Sequence, residues 1–288
     1  QILVKDSLKT LTNIAKNIRG VSLANFIAIT GSCGKTSLKE LLGHVLAKIS
    51  KVYYSPSSYN NKYGVPLSLF NIKQKDDFGI FEIGMDKKGE IDSLSKIVKP
   101  DVGVITNISY AHAKNFNSLE QIADAKSEII NNIKKNGSMV LNADDSFFIK
   151  HKKLALKRKL KIHSFSLNKK NANVYIKKIF KLKSKFKILV SINKKNKLFF
   201  INSIFESDLK NILASIAVIS IFRDVSKLNN NIFYSFKNPK GRGDISKIKI
   251  KRKIIKFVDE SYNANPLSVY SAIKNFDLIN KGKGKKNI

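Results

Sequence analysis

The chain has 288 residues, of which 43% are hydrophobic, so it can bury a sizeable core as one large domain or two of ordinary size. Its formal net charge of +33 raises the question of a nucleic-acid or anionic-membrane partner. Scattered lysines supply nearly all of the positive charge, whereas nucleic-acid-binding proteins favour arginine. A general compositional bias therefore explains the charge better than a binding surface. One cysteine excludes an internal disulfide and fits a reducing cytoplasm, and the longest apolar run, 212–222, is too short to span a membrane.

The first half of the chain alternates apolar runs with helical patterns. Residues 1–20 predict one amphipathic helix without a strand before it. The predicted strands are FIAIT (26–30), KVYYS (51–55), FGIFEIG (78–84), DVGVITN (101–107) and SMVLNAD (138–144). The predicted helices begin near Thr36, Pro66, Gly89, Ser118 and Ser146. This alternation is typical of successive βα units that build a parallel sheet with both faces covered.

The pattern changes in the second half. Residues 161–204 read as short alternating strands, which predicts a small antiparallel sheet attached to the main one, and a long helix over 206–222 follows. Proline and glycine become frequent in KNPKGRGD (237–244), and a strand, turn and helix pattern then begins over 254–276. We therefore expect an α/β fold with a mostly parallel, P-loop-type sheet flanked by helices, a small antiparallel sheet, and the start of a second α/β domain.

The stretch TGSCGKTS (30–37) predicts a phosphate site, because it follows a strand and opens a helix. Its glycines let backbone N–H groups and the helix N-terminus approach an anion. Lys35 can reach a terminal phosphate and the Thr36 hydroxyl can ligate Mg²⁺. The strict P-loop pattern would place its first glycine at Ile29, so the match is incomplete. The residues predicted to hold the nucleotide here are Gly31, Ser32, Cys33, Gly34, Lys35, Thr36 and Ser37.

Six stretches, in this order and spacing, resemble the Mur ligase superfamily. They are TGSCGKTSLKELL, SYNNKYGVPLSL, FEIGMDKKGEI, DVGVITNISYAHAKNFNSLEQIADAKSEI, VLNADD and DESYNANPLS. The resemblance implies an ATP-dependent ligase that moves the γ-phosphate of ATP to a substrate carboxylate, after which an amine displaces phosphate from the acyl phosphate. Within the superfamily, YNANP and NNKYGVPLSL favour the member that adds D-Ala-D-Ala to UDP-MurNAc-tripeptide in peptidoglycan precursor synthesis.

The same resemblance implies roles for individual residues. Glu82 matches the family's Mg²⁺ ligand, His112 the histidine of a second metal, and Lys126 a lysine that is carbamylated and so becomes a metal-binding group. Two Mg²⁺ sites are thus expected, with Thr36, Glu82, His112 and Lys126 as ligands and Lys35, His112 and Lys126 as catalytic residues.

Substrate and nucleotide contacts are implied as well. The predicted substrate residues are Asn60, Asn61, Thr106 and Asn107. The further predicted ATP-binding residues are Asn211, Arg242, Asn263 and Asn265. Ser207 and Asp208 stand where the family often has a His-Asn pair, which departs from the usual adenine contacts.

The family's three domains imply how the chain divides. We expect 1–20 to be a linker helix from a missing N-terminal UDP-binding domain, 21–238 the central ATP-binding domain, and 239–288 the truncated beginning of the C-terminal ligase domain. A cytoplasmic monomer without a membrane span or specific nucleic acid is expected. The alternatives are another Mur-type or folylpolyglutamate-type ligase, and a basic P-loop nucleic-acid-binding ATPase, which would bind DNA or RNA with a steep salt dependence.

Overall fold

The computed structural model describes residues 3–110, 115–183, 185–250 and 253–278. The strands are β1 (Asn25–Thr30), β2 (Val52–Tyr54), β3 (Phe78–Glu82), β4 (Val102–Ile105), β5 (Ser138–Asn142), β6 (Lys161–Ser166), β7 (Val174–Lys181), β8 (Phe186–Ile192), β9 (Lys195–Ile201), β10 (Asp244–Ile250) and β11 (Lys253–Asp259). The helices are α1 (Ser7–Val21), α2 (Lys35–Leu46), α3 (Gly64–Leu69), α4 (Glu90–Val98), α5 (Leu119–Ser127), α6 (Phe148–Lys157), α7 (Glu206–Phe222) and α8 (Pro266–Leu278).

One mixed sheet of nine strands organises the main body, in the order β2-β3-β1-β4-β5-β6-β7-β8-β9. Neighbouring strands from β2 to β7 pair parallel, and β7, β8 and β9 pair antiparallel. The predicted fold class is confirmed, including the antiparallel strands attached to the main sheet. The antiparallel strands continue the main sheet, because β6 pairs parallel with both β5 and β7.

Two apolar layers cover the faces of this sheet. One layer packs α2 and α7 against it, and the other packs α1, α3, α4, α5 and α6. Helix α7 is apolar nearly all round and most of its side chains are buried, as expected of a helix in a core. In the ranges that the structure describes, no helix is long and apolar enough to cross a bilayer.

Helix α1 begins later than the sequence predicts. The Asp6 carboxylate accepts a hydrogen bond from Lys9 N and caps the helix, which therefore starts at Ser7. At its other end, the buried Arg19 guanidinium donates to the carbonyls of Val98 and Lys99 at 2.6 and 2.8 Å. These bonds fix α1 to the edge of the sheet where the parallel strands begin.

A second, two-stranded sheet follows the main body. Strands β10 and β11 form an antiparallel hairpin, which the sequence only partly predicts, and α8 comes after it. Several large apolar side chains of the hairpin are exposed, including Ile245, Ile254 and Phe257. The division into linker helix, central domain and partial third domain stays a prediction.

Candidate active site

The 30–37 loop lies where β1 ends at the carboxyl edge of the sheet, between the ends of β3 and β4. Gly31 has φ +140° and Gly34 has φ +80°, both in the region that favours glycine. A Cβ atom on Gly31 would lie 1.9 Å from Thr106 Oγ1. The loop thus packs directly on the chain after β4, and α2 begins at its end with its N-terminus open to an anion.

Lys35 folds back over this loop. Its Nζ atom donates to Gly31 O at 2.9 Å and to Ser32 O at 3.4 Å. Burial lowers the pKa of the Lys35 ammonium from its usual value, and the nearby Glu82 carboxylate opposes that shift. A cation held at the mouth of a backbone nest is suited to a phosphate group.

Thr36 and Glu82 form the candidate metal site. Glu82 is the last residue of β3 and is buried, and its Oε2 atom accepts a hydrogen bond from Thr36 Oγ1 at 2.6 Å. Its other oxygen accepts from Asn60 Nδ2 at 2.7 Å. Mg²⁺ usually takes one or two protein carboxylates together with phosphate oxygens and waters, and a hydroxyl beside a carboxylate fits that requirement. Across the described part of the chain, no group of three or more His, Cys, Asp or Glu side chains forms a complete metal cage.

Lys126 lies in α5 with its side chain fully buried. Among the described residues its Nζ atom finds no hydrogen-bond partner. Burial lowers the Lys126 pKa well below its usual value, and the neighbouring Lys35 lowers it further. Burial therefore favours the neutral amine over the ammonium at this position near the P-loop. His112, the other residue predicted for a second metal, lies outside the described residues.

Thr106 and Asn107 brace the P-loop. Thr106 Oγ1 donates to Cys33 O at 2.6 Å, and Asn107 Oδ1 accepts from Cys33 N at 3.1 Å. Both residues line a small cavity of about 200 Å³ and not the larger cavity described next. The structure thus places them against the nucleotide loop, and the substrate role predicted for them stays a prediction.

A larger cavity of about 1000 Å³ opens in front of the P-loop. Lys35, Thr36 and Glu82 lie at its inner end, and Asn60 and Asn61 line its wall. Asn61 Oδ1 also accepts hydrogen bonds from the backbone N–H groups of Tyr63 and Gly64 at the start of α3, so the loop before that helix is well fixed.

The closing segment, residues 241–243 and 260–275, follows α7 and lies over the P-loop. Arg242 lies over the ring of Tyr262 and donates to Ser58 Oγ at 3.4 Å, while the Tyr262 hydroxyl donates to the same oxygen at 2.6 Å. Asn265 Nδ2 contacts Cys33 Sγ at 3.1 Å. The site is therefore built from two parts of the chain, and the sequence did not indicate Ser58 or Tyr262.

The small cavity lies between α7 and this closing segment. Asn211 lines it, and its Oδ1 atom would be 3.4 Å from a Cβ on Gly34. Arg242 and Asn263 line both cavities, and Asn265 lines the larger one. Asp208 also lines the small cavity and accepts from Asn238 Nδ2 at 3.2 Å. The structure brings the predicted nucleotide residues together around one loop.

A mostly parallel α/β sheet with a glycine-bearing loop, a lysine, a threonine and a strand-end glutamate defines a nucleotide-binding protein of the P-loop type. The family whose model matches is the Mur ligase middle domain, over residues 29–219. The chain therefore belongs to the Mur ligase family, whose members are ATP-dependent ligases that use Mg²⁺.

Individual relatives agree with this assignment. The UDP-N-acetylmuramoyl-tripeptide--D-alanyl-D-alanine ligase of Rickettsia prowazekii (strain Madrid E) is 34% identical over 95% of this chain and 60% of its own length. Among solved structures, MurF from Acinetobacter baumannii superposes with a TM-score of 0.87 at 27% identity, covering 97% of this chain and 60% of that one.

MurF ligase from Thermotoga maritima, solved in complex with ADP, superposes with a TM-score of 0.82 at 26% identity, covering 96% of this chain and 62% of that one. The chain thus spans about 60% of the length of the relatives it matches.

Proposed function

We propose that this chain is the catalytic portion of a ligase that joins D-Ala-D-Ala to UDP-MurNAc-tripeptide at the expense of ATP, in cytoplasmic peptidoglycan precursor synthesis. The observation that carries the proposal is the P-loop with Thr36 hydrogen-bonded to Glu82 at 2.6 Å, which opens into a cavity of about 1000 Å³. The names of the relatives support the identity of the two substrates.

The nucleotide end of the site supports phosphoryl transfer. The loop amides and Lys35 are placed to hold the β- and γ-phosphates of ATP, and Arg242 supplies a second cation from the closing segment. Thr36 and Glu82 would hold Mg²⁺, which offsets phosphate charge during transfer. The proposed product of the first step is an acyl phosphate on the tripeptide carboxylate, and burial of these groups limits its hydrolysis.

The outer part of the large cavity fits an anionic peptide. Lys62 and Lys88 line it together with Asn60 and Asn61. Ammonium groups attract the carboxylates of a peptidyl substrate, and amide side chains can donate to or accept from its peptide groups. The amine of the incoming dipeptide would then attack the acyl-phosphate carbonyl within this cavity, and inorganic phosphate would leave as the amide bond forms.

Lys126 supports the carbamate expected from the family resemblance. Only a neutral amine reacts with CO₂, and burial shifts the Lys126 pKa downward, toward that neutral form. The carbamate would carry the negative charge and the oxygen atoms that Mg²⁺ prefers. We therefore include a carbamylated Lys126 in the proposal, as a ligand of a second Mg²⁺.

The exposed apolar side chains of β10, β11 and α8 support the proposed domain division. Among the described residues of these three elements, nine large apolar side chains are exposed, including Ile254 at 70% and Tyr270 at 64%. Such a concentration on neighbouring elements is typical of a surface that is covered by a partner or a further domain. A larger C-terminal domain would cover them. We therefore propose that residues 1–288 alone bind the nucleotide but carry out little ligation.

A phosphate-release assay tests the proposal. Residues 1–288 are compared with a chimera in which the uncovered N- and C-terminal parts of the Acinetobacter baumannii MurF flank this chain. ATP, Mg²⁺, UDP-MurNAc-tripeptide and D-Ala-D-Ala are supplied together and with each omitted in turn. We expect the isolated chain to release little phosphate. The chimera should release phosphate only when all four compounds are present, and Lys35→Met should abolish that release.

Two outcomes would contradict the proposal. Turnover by the chimera with a single amino acid but not with D-Ala-D-Ala would indicate another ligase of the family. Robust ligation by residues 1–288 alone would show that the domain division is wrong.

A further inference from the structure

Lys39 is a fully buried lysine that the proposed chemistry does not use. It follows Lys35 by one turn of α2, so both side chains lie on the face of the helix directed at the carboxyl edge of the sheet. The Lys39 Nζ atom donates to Ser55 O at 2.5 Å and also to Ser57 O, and it pairs with Glu40 Oε1 at 3.0 Å. All three ammonium hydrogens thus have acceptors.

The two carbonyls belong to the loop over residues 55–61, which is the first part of the connection from β2 to α3. Between them the backbone turns sharply, because Ser57 has φ +46°, a conformation that costs free energy for a residue other than glycine. A single ammonium that binds the carbonyls of Ser55 and Ser57 offsets that cost and fixes the turn.

The rest of this loop contacts the candidate active site through two residues, Asn60 and Ser58. Asn60 holds Glu82 Oε1 at 2.7 Å, and Asn60 O accepts from Gly84 N just after β3. Ser58 accepts from the Tyr262 hydroxyl of the closing segment at 2.6 Å. The position of the loop therefore determines both the orientation of the metal-binding carboxylate and the docking of the closing segment.

We propose that Lys39 is a positioning residue for the metal site: by holding the carbonyls of the 55–61 loop, it aims Asn60 at Glu82. The proposal rests on the nucleotide and Mg²⁺ binding proposed above. A purely structural lysine in this place would be replaceable by an apolar side chain with a change in stability alone, as is common for buried ion pairs. A positioning lysine also changes how tightly Mg²⁺ binds.

The experiment measures ADP binding to the chain by calorimetry across a series of Mg²⁺ concentrations. For Lys39→Met we expect the ADP affinity without metal to stay within twofold of wild type. The Mg²⁺ concentration that gives half of the maximal increase in ADP affinity should be at least fivefold higher than in wild type. Lys39→Gln keeps one polar donor group, so its half-maximal Mg²⁺ concentration should lie between those of wild type and Lys39→Met. If Lys39→Met does not fold, Lys39→Gln alone decides the question.

Arg19→Met is the matched control. Arg19 is also a buried cation that donates to two backbone carbonyls and contacts a carboxylate, that of Asp101, but at the opposite edge of the sheet. This variant should lose stability and keep the wild-type Mg²⁺ dependence. A wild-type Mg²⁺ dependence in Lys39→Met or Lys39→Gln would overturn the positioning role. Absence of ADP binding by the wild-type chain would overturn the proposed function and the positioning role with it.

Discussion

Replacing Gly31 with alanine tests the geometry of the phosphate loop. The added Cβ would lie 1.9 Å from Thr106 Oγ1 and 3.0 Å from Thr106 N, whereas ordinary contacts begin near 3.4 Å. The hydroxyl would have to move by about 1.5 Å, which breaks its 2.6 Å hydrogen bond to Cys33 O. Overpacking costs about 1–3 kcal/mol, and a non-glycine residue at φ +140° adds about 1–3 kcal/mol.

Part of this strain will relax by moving the loop away from its phosphate-binding shape. We expect ADP affinity, measured by calorimetry with Mg²⁺, to fall about 30-fold or more, which corresponds to about 2 kcal/mol. The control is Gly89→Ala, since Gly89 has φ +89° but open space around a Cβ. It should lose stability and keep its ADP affinity. Combining Gly31→Ala with Thr106→Ala should recover part of the loss. Affinity within threefold of wild type in Gly31→Ala would refute the reasoning.

Three further predictions concern the proposed metal ligand Glu82, the buried Lys126 and the buried His151. Glu82→Gln should leave metal-free ADP binding unchanged and reduce its enhancement by Mg²⁺ at least tenfold, because the amide lacks the charge that Mg²⁺ needs; unchanged enhancement in calorimetry would exclude Glu82 as the ligand. Lys126→Met should raise the free energy of unfolding by about 1–3 kcal/mol in CO₂-free buffer at pH 7, because an unpartnered buried amine is removed. In ¹³C-bicarbonate, the wild type but not this variant should show a carbamate carbon by NMR, and a wild-type spectrum without that signal would exclude the carbamate.

The third prediction concerns His151 and the pH dependence of stability. Burial lowers the pKa of the His151 imidazole, so below about pH 6.5 the unfolded chain takes up a proton before the folded one does. Stability should therefore fall as the pH drops from 7 to 5, by at most about 1.4 kcal/mol per pH unit from this group. In His151→Gln, urea denaturation should show a shallower slope, and an unchanged slope would assign the pH dependence elsewhere.

The sequence predicted the parts of the site that local chemistry dictates. A glycine-bearing turn between an apolar strand and an amphipathic helix has few other structures available, so the P-loop, Lys35 and Thr36 followed from the pattern. Glu82 came from the resemblance to the Mur ligases, and its place at the end of a predicted strand agrees with it, because parallel strands bring their carboxyl ends to one edge.

Features that depend on tertiary packing were not predicted. Lys126 and Lys39 are two of many lysines in this chain, and the sequence around them does not indicate that both side chains are fully buried. The spacing of Lys39 from Lys35, one helical turn, was the signal available for it. Thr106 lies against the P-loop because β4 is the neighbour of β1, and strand order is not readable from a single strand. Helix α1 starts at Ser7 because Asp6 caps it, a signal present in the sequence that the apolar periodicity concealed.

A crystal structure of this chain with Mg²⁺ and ADP tests the central claim most directly. We predict the β-phosphate within hydrogen-bond distance of the backbone N–H groups of the 30–37 loop. We also predict Mg²⁺ between Thr36 Oγ1 and Glu82 Oε2, in place of the hydrogen bond that now joins these atoms. ADP bound outside the loop, or a Thr36–Glu82 hydrogen bond that persists beside bound Mg²⁺ and ADP, would contradict the account.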